Sequence, residues 1–370
     1  LGRSWRFLAV GLFSACAAPP VAFPSRALPI EQVSKAEPAE LSAYTIPPLP
    51  DWTNSYPGSE PNADIRYFRI KKLMTDYSLD RLQAVEVQSQ YRHLTAKGVP
   101  FPSAFAEAIA RVRAGQLGSG IELAKLRSAP FIVVYDLDET LYQAFYKSGD
   151  RGPDWRSFVF ESGNRPGYVE LRPGWQEAIA RIRALGGMVI LFTARSDDVM
   201  KNMVAAWRLS GRGILQSVDG FLTKSYLVLQ EKMDGDPIAL PSKDLRIFDE
   251  KLERVIIVDD NPKRVVQHHR QRLIKKFQAD PYLQDKNSGK GGSEVIASFE
   301  RTLPAVVAEI EEAVGYMRAP AHGGVTFAQA YLPYTLLGQV AMEALRQGGL
   351  REEAARQYIR DHPSYVDSSF

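Results

Sequence analysis

Three short apolar runs constrain this chain more than anything else in it. Phe131-Ile132-Val133-Val134-Tyr135, Met188-Val189-Ile190-Leu191-Phe192 and Val255-Ile256-Ile257-Val258 are unbroken and rich in β-branched residues. A strand half exposed to water alternates polar with apolar. A run without alternation is a strand covered on both faces, the signature of a parallel sheet. Trp175, Ala178, Ile179, Ile182 and Leu185 repeat at helical spacing between the first two runs, and Gly186-Gly187 ends that helix. Strand, helix, strand in this order predicts an α/β fold, a doubly wound Rossmann-like parallel sheet. Weaker strand candidates are 219–223 and 273–277.

Each run ends on a polar group: Asp136, Thr193, and the pair Asp259-Asp260. In an open α/β sheet, sites form beyond the carboxyl ends of the strands. Two acidic clusters and a hydroxyl are therefore expected to converge. Phosphoryl transfer requires a nucleophile, a proton donor for the leaving oxygen, and positive charge around the transferring oxygens. Asp136 and Asp138, two apart, would lie on one side of an extended chain, where one attacks and the other handles the proton. A carboxylate attacking a phosphate dianion needs a cation between them, and hard oxygen donors suit magnesium. Thr193 would hydrogen-bond a phosphate oxygen, and a lysine should neutralise the intermediate.

The stretch Val134-Tyr135-Asp136-Leu137-Asp138-Glu139-Thr140-Leu141 resembles the signature of the haloacid-dehalogenase superfamily, and within it the branch of RNA polymerase II carboxy-terminal-domain phosphatases. Leu171-Arg172-Pro173-Gly174, Leu191-Phe192-Thr193-Ala194, Lys243-Asp244-Leu245 and Val255 to Pro262 resemble the later motifs in order and spacing. The resemblance covers about residues 130–280. It implies a Mg2+-dependent phosphomonoester hydrolase with Asp136 as nucleophile and metal ligand. Asp138 would be the general acid/base, with its backbone carbonyl on the metal. Thr193 would bind the phosphate, and Lys243 would stabilise the phosphoryl intermediate; apart from the resemblance, Arg195 is a further candidate to face the phosphate. Asp260 would be the direct metal ligand, with Asp259 beside it and Asn261 in the outer shell. Lys224 and Lys251 are rivals for the lysine, and Arg172 is read mainly as a structural or surface residue. A phosphotransferase using the same intermediate, or a non-catalytic scaffold on this fold, are the alternative readings.

The rest of the chain reads as surroundings. Arg3 and Arg6 precede an apolar stretch from Phe7 to Ala18, the pattern of an export signal over 1–18. Cys16, the single cysteine, follows Phe13-Ser14-Ala15 in a way that resembles a bacterial lipoprotein signal. An exported protein of the periplasm or cell envelope, with a lipid anchor on Cys16, is the expectation. Residues 19–62 contain ten prolines and read as a tether. Helical extensions are expected at 63–128 and 301–370, around a phosphatase core at 129–300. An insert at 142–170 carries Tyr142, Phe145, Tyr146, Trp155, Phe158 and Phe160, read as packing more than as a pocket floor. The basic stretch from Lys263 to Lys276, with His268 and His269, reads as a solvated helix face. Residues 284–294 read as a loop. The net charge of +3 makes no case for nucleic acid. No apolar run reaches the roughly 18–20 residues that span a bilayer. The expected partner is a phosphorylated small molecule or phosphoprotein.

Overall fold

The computed structural model describes residues 70–146, 157–162, 165–229, 241–289 and 293–366. The export and tether readings, Cys16 and Trp155 lie outside these residues. The first three helices are α1 (Ile70–Tyr77), α2 (Arg81–Ala96) and α3 (Phe101–Arg113), followed by the short α4 (Leu123–Ser128). Asp80 starts α2 through a reciprocal capping box, its carboxylate accepting from Gln83 N at 2.8 Å and its own N–H donating to the Gln83 side chain at 2.9 Å.

The three apolar runs form strands β1 (Ile132–Tyr135), β5 (Met188–Phe192) and β11 (Val255–Asp259). Between β1 and β5 the chain makes a separate antiparallel sheet from β2 (Tyr142–Tyr146), β3 (Phe158–Ser162) and β4 (Arg165–Leu171), in the order β2-β4-β3. Helix α5 (Trp175–Ala184) then returns the chain to β5. Helix α6 (Asp197–Ala206), the two-residue ladder β6 (Arg208–Leu209) and β7 (Arg212–Gly213), and α7 (Ile214–Ser217) lead into β8 (Gly220–Leu222). A second small ladder, β9 (Val228–Leu229) with β10 (Pro241–Ser242), precedes β11, and β12 (Gln271–Leu273) closes the sheet. The C-terminal part holds α8 (Ala279–Asn287), α9 (Glu294–Arg318), α10 (Phe327–Tyr331), α11 (Leu336–Gln347) and α12 (Glu352–Asp361).

The main sheet is wholly parallel, in the order β12-β11-β1-β5-β8. The chain winds outward from β1 through β5 to β8, then crosses back to β11 and β12. The reversal falls between β1 and β11, where a doubly wound sheet opens its crevice. Alternate residues explain the unbroken apolar runs. Val133, Tyr135, Val189, Leu191, Ile256 and Val258 pack against α5, α9 and α10. Ile132, Val134, Ile190, Ile257 and Phe192 pack on the other side with Leu82 and Val85 of α2, Leu126 of α4, and the turn at Leu245–Phe248. Among the described residues between β8 and β11 there are only 3-10 turns and short ladders, so the N-terminal helices supply the layer over that face. A sheet buried on both sides needs such a cover.

Three local expectations are corrected. The strand expected at 273–277 lies two residues earlier, at Gln271–Leu273, because its register is set by pairing of Ile257 with Gln271 and Asp259 with Leu273. The stretch from Lys263 to Lys276 is not a helix. It forms 3-10 turns at Pro262–Arg264 and His268–Arg270, then β12. Arg270 is buried there, its Nε donating to Leu252 O at 2.8 Å, so this segment is not a solvated face. The loop expected at 284–294 overlaps the last residues of α8 and the start of α9. No described helix is long and apolar enough to cross a membrane.

Candidate active site

Asp136 follows β1 directly, and its N–H continues the ladder to Val258 O at 2.9 Å. Leu137 is buried, and the chain then turns sharply. Leu141 N and Tyr142 N both donate to Leu137 O, at 2.9 and 3.1 Å. Asp136 and Asp138 therefore both precede a tight turn at Glu139–Leu141, with Asp138 bridging to Tyr142. Glu139 sits in the left-handed region at φ 61°, a conformation that non-glycine residues adopt rarely and that clusters at functional sites.

The site has a buried floor and an open rim. Asp136, Lys243, Asp259 and Thr193 are buried, while Asp138, Arg195 and Asp260 are partly exposed. Lys243 Nζ donates to Asp136 Oδ1 in a short contact and to Asp259 Oδ2 at 2.7 Å. Lys243 is held in place by backbone contacts to the segment after β11: its N–H donates to Arg264 O at 2.8 Å, and its carbonyl accepts from Val266 N at 3.0 Å. Asp259 Oδ1 accepts from Asn261 N at 2.7 Å, so both oxygens of Asp259 are engaged. Asp260 Oδ1 accepts from Thr140 Oγ1 at 3.0 Å, and Thr140 Oγ1 in turn accepts from Asp260 N at 3.1 Å.

At the rim, Asp138 Oδ1 takes a short contact from Arg195 Nε, and Oδ2 accepts from Thr193 Oγ1 at 3.1 Å. Thr193 Oγ1 also accepts from Arg195 N at 3.1 Å. Asp136, Asp138, Thr193, Arg195, Lys243, Asp259 and Asp260 thus meet here. The carboxylate of Asp138 stands apart from the other three. Oxygens of Asp136, Asp259 and Asp260 lie within 4.8 Å of one another. Lys224 follows β8 and its N–H donates to Arg195 O at 2.8 Å, so it belongs to the neighbouring rim. Lys251 is exposed in the turn that precedes β11, at the opposite end of the strand from Asp259.

The electrostatics follow from burial and crowding. Burial pushes the Asp136 carboxyl well above its ordinary range, Lys243 opposes this, and Asp259 and Asp138 add to it. Burial likewise lifts Asp260 to about 6, with Asp259 adding repulsion. Burial opposes the charge on Lys243, but Asp136 and Asp259 outweigh it and hold the ammonium above the ordinary lysine range. Asp136 and Asp259 share one buried ammonium and Asp260 crowds them without it, so the cluster carries excess negative charge.

Thr140 anchors Asp260, and only its place in the run Asp136 to Thr140 hinted at that. Arg172, read as a structural or surface residue, is wholly buried behind the turn and is not a surface residue. In the insert, Tyr142 and Phe160 are buried, and Tyr142, Phe158 and Trp175 gather around Trp207 with ring centroids 5.8, 6.1 and 5.3 Å away. These aromatics pack on one another, and Phe158 and Trp175 also line a surface cleft beside Glu170 and Arg208.

Residues 131–289 match the family model described as NLI interacting factor-like phosphatase. This segment is a phosphatase domain, a phosphoric monoester hydrolase. The chain is also similar to two solved structures. One is the fission yeast RNA polymerase II CTD phosphatase Fcp1 bound to beryllium fluoride, at 16% identity over 64% of this chain and 72% of that one, with a TM-score of 0.30. The other is Fcp1, an essential RNA polymerase II CTD phosphatase, at 16% identity with the same coverage and a TM-score of 0.32. No curated protein matches the chain.

Proposed function

We propose that the phosphatase domain hydrolyses phosphomonoesters through an aspartyl-phosphate on Asp136, in a magnesium-dependent reaction. The observation that carries this reading is Lys243 Nζ bridging Asp136 and Asp259 at the carboxyl ends of β1 and β11. Asp136 Oδ1 is oriented by Lys243, which leaves Oδ2 to attack phosphorus in line. Asp138 protonates the departing oxygen, then removes a proton from the water that attacks the phosphoryl-aspartate. Lys243 balances the charge on the intermediate. Thr193 and Arg195 receive the phosphate oxygens. Their present partner is Asp138, so an arriving phosphate competes for Arg195 and releases Asp138 for its proton transfers.

A hard divalent cation fits this donor set. The cluster is all oxygen, carries excess negative charge, and contains a second oxygen of Asp260 that takes part in none of the contacts above, while Asp136 would offer the metal Oδ1 and keep Oδ2 for attack. Asp136, Asp260 and the Asp138 backbone carbonyl would hold it, with Asp259 orienting Lys243 beside them. Bound Mg2+ supplies charge neutralisation at the transferring oxygens.

The reading predicts how Asp138→Asn behaves. Phenyl phosphate, whose leaving oxygen needs a proton, should be hydrolysed about 10²–10⁴-fold more slowly. p-Nitrophenyl phosphate, whose phenolate leaves unprotonated, should lose much less. Steady-state rates on the two esters decide this; equal losses would remove Asp138 from the acid role.

The substrate proposed is a phosphomonoester on a small molecule or a protein. We also propose that the chain is exported and anchored through Cys16, on the strength of Arg3, Arg6 and the apolar run before it. Mass spectrometry of the mature N-terminus tests this. A diacylated Cys16 supports anchoring, and an intact leader in the mature protein ends the proposal.

A further inference from the structure

Arg172 is a fully buried guanidinium that the reaction as written does not use. It opens the run Arg172-Pro173-Gly174, immediately after β4. Its contacts all converge behind the catalytic turn. Its N–H donates to Leu141 O at 2.8 Å. Its Nη2 donates to Glu139 O at 3.0 Å and to Lys275 O at 2.6 Å. Phe277 N reaches the same Glu139 carbonyl at 2.7 Å. The guanidinium lies over the rings of Phe277 and Phe299, 5.2 and 5.7 Å from their centroids.

Two features argue that this arginine does more than hold the fold. Its Nε and Nη1 are buried with no hydrogen-bond partner among the described residues. A buried charge with unmet donors is a poor stabiliser, and an apolar side chain of similar volume serves packing as well or better. The carbonyl it grips belongs to Glu139, the residue at φ 61° next to Asp138. A left-handed conformation at a non-glycine residue persists only where its surroundings enforce it. Arg172 also feels Asp260 across the site. Burial lowers its pKa to about 10, and Asp260 acts the other way.

We propose that Arg172 is a positioning residue, which clamps the Glu139 carbonyl from behind the site and so holds Asp138 where it can deliver a proton to the leaving oxygen. This rests on the phosphatase reading above. The clamp joins three segments that are distant in the chain: the catalytic turn, the end of the insert, and residues 275–277. Both carbonyls are held by the single Nη2, and a lysine cannot lie flat over Phe277 and Phe299 as the planar guanidinium does.

The test compares Arg172→Met and Arg172→Lys with Asp138→Asn on phenyl phosphate and p-nitrophenyl phosphate. Loss of the clamp should lower kcat on phenyl phosphate about 30-fold in Arg172→Met, a partial loss of proton transfer. On p-nitrophenyl phosphate the loss should stay under roughly fivefold, with KM unchanged. The melting temperature should be unchanged or higher. Arg172→Lys, which retains the charge and N–H donors but loses the planar guanidinium over the two rings, should show the same selective loss in smaller degree. Should Arg172→Met not fold, Arg172→Lys alone decides. A purely structural arginine would instead lower both rates together, in step with melting temperature, and that outcome overturns the proposal. If Asp138→Asn itself shows no dependence on leaving group, the phosphatase mechanism fails first. If it does and neither arginine variant follows it, the clamp fails alone.

Discussion

Asp136→Asn should leave a folded protein whose turnover of phosphomonoesters falls by roughly 10⁴-fold or more, as for a lost nucleophile. Asparagine copies the shape of aspartate and keeps an oxygen for Lys243, but it cannot form the acyl phosphate. Stability should hold for a reason visible in the site. Burial and the nearby carboxylates already push Asp136 well above its ordinary range, so its ionised form is disfavoured in the fold. A neutral amide removes that penalty. Lys243 still has Asp259 at 2.7 Å, so its ammonium is not stranded. The melting temperature at pH 7.5 should therefore be equal to that of the native chain or higher. Calorimetry and a p-nitrophenyl phosphate assay check the two halves. Rapid acid quench of the native protein should also place a phosphoryl group on the Asp136 peptide, absent in the variant. A retained rate would dismiss Asp136 as nucleophile. A large fall in melting temperature would make it a structural ion-pair partner.

The parts of this site that could be read in the sequence are those whose neighbours in the chain explain them. The runs before Asp136, Thr193 and Asp259 are continuous because alternate residues face two different cores, so the strands and their polar ends were legible together. Lys243 was legible only through motif order. It lies 107 positions from Asp136, in a stretch with no period, and only the meeting of β1 and β11 selects it over Lys224. Arg172 shows the opposite limit. Its burial depends on Phe277 and Phe299, more than a hundred residues later, and nothing beside it in the chain signals them. The apolar stripe of α2 announced a buried face but not which one. That Leu82 and Val85 cover the catalytic sheet follows from the described residues between β8 and β11, which leave this side to be filled. The register of β12 was misplaced for a related reason. Ile274 and Phe277 look like strand residues, yet Phe277 belongs to a cluster with Tyr282 and Phe299, and the pairing begins at Gln271.

Lys243→Met should be the most destabilising change at this site, and its pH dependence distinguishes a charge effect from a packing effect. Methionine fills the space, but Asp136 and Asp259 lose their shared buried ammonium. Leaving buried charge uncompensated costs about 3–5 kcal/mol. For a domain of this size that corresponds to a fall of about 10 °C in melting temperature. Turnover should fall about 10²–10³-fold, because the charge that balances the transferring phosphoryl group is gone. The sign of the pH effect follows from proton uptake. Lys243 is held above the ordinary lysine range, so in the native chain its contribution is intact from pH 5 to 9 and is lost only at strongly alkaline pH. Carboxylates raised in the fold behave differently. Their protonated forms favour the folded state, so stability is greatest below their unfolded range and declines as pH rises through the folded value. Asp260, at about 6, already gives the native chain a mild decline between pH 5 and 7. Without Lys243 the buried carboxylates rise further, and the decline should steepen and extend to higher pH. The variant should approach the native melting temperature at pH 5 and fall well below it at pH 8. Magnesium should recover part of the loss at pH 8, where the carboxylates are ionised, and little at pH 5, where protons compete for them. Calorimetry across this range, with and without Mg2+, reads all of this. A constant offset between variant and native chain at every pH would mean that Lys243 contributes packing and not charge.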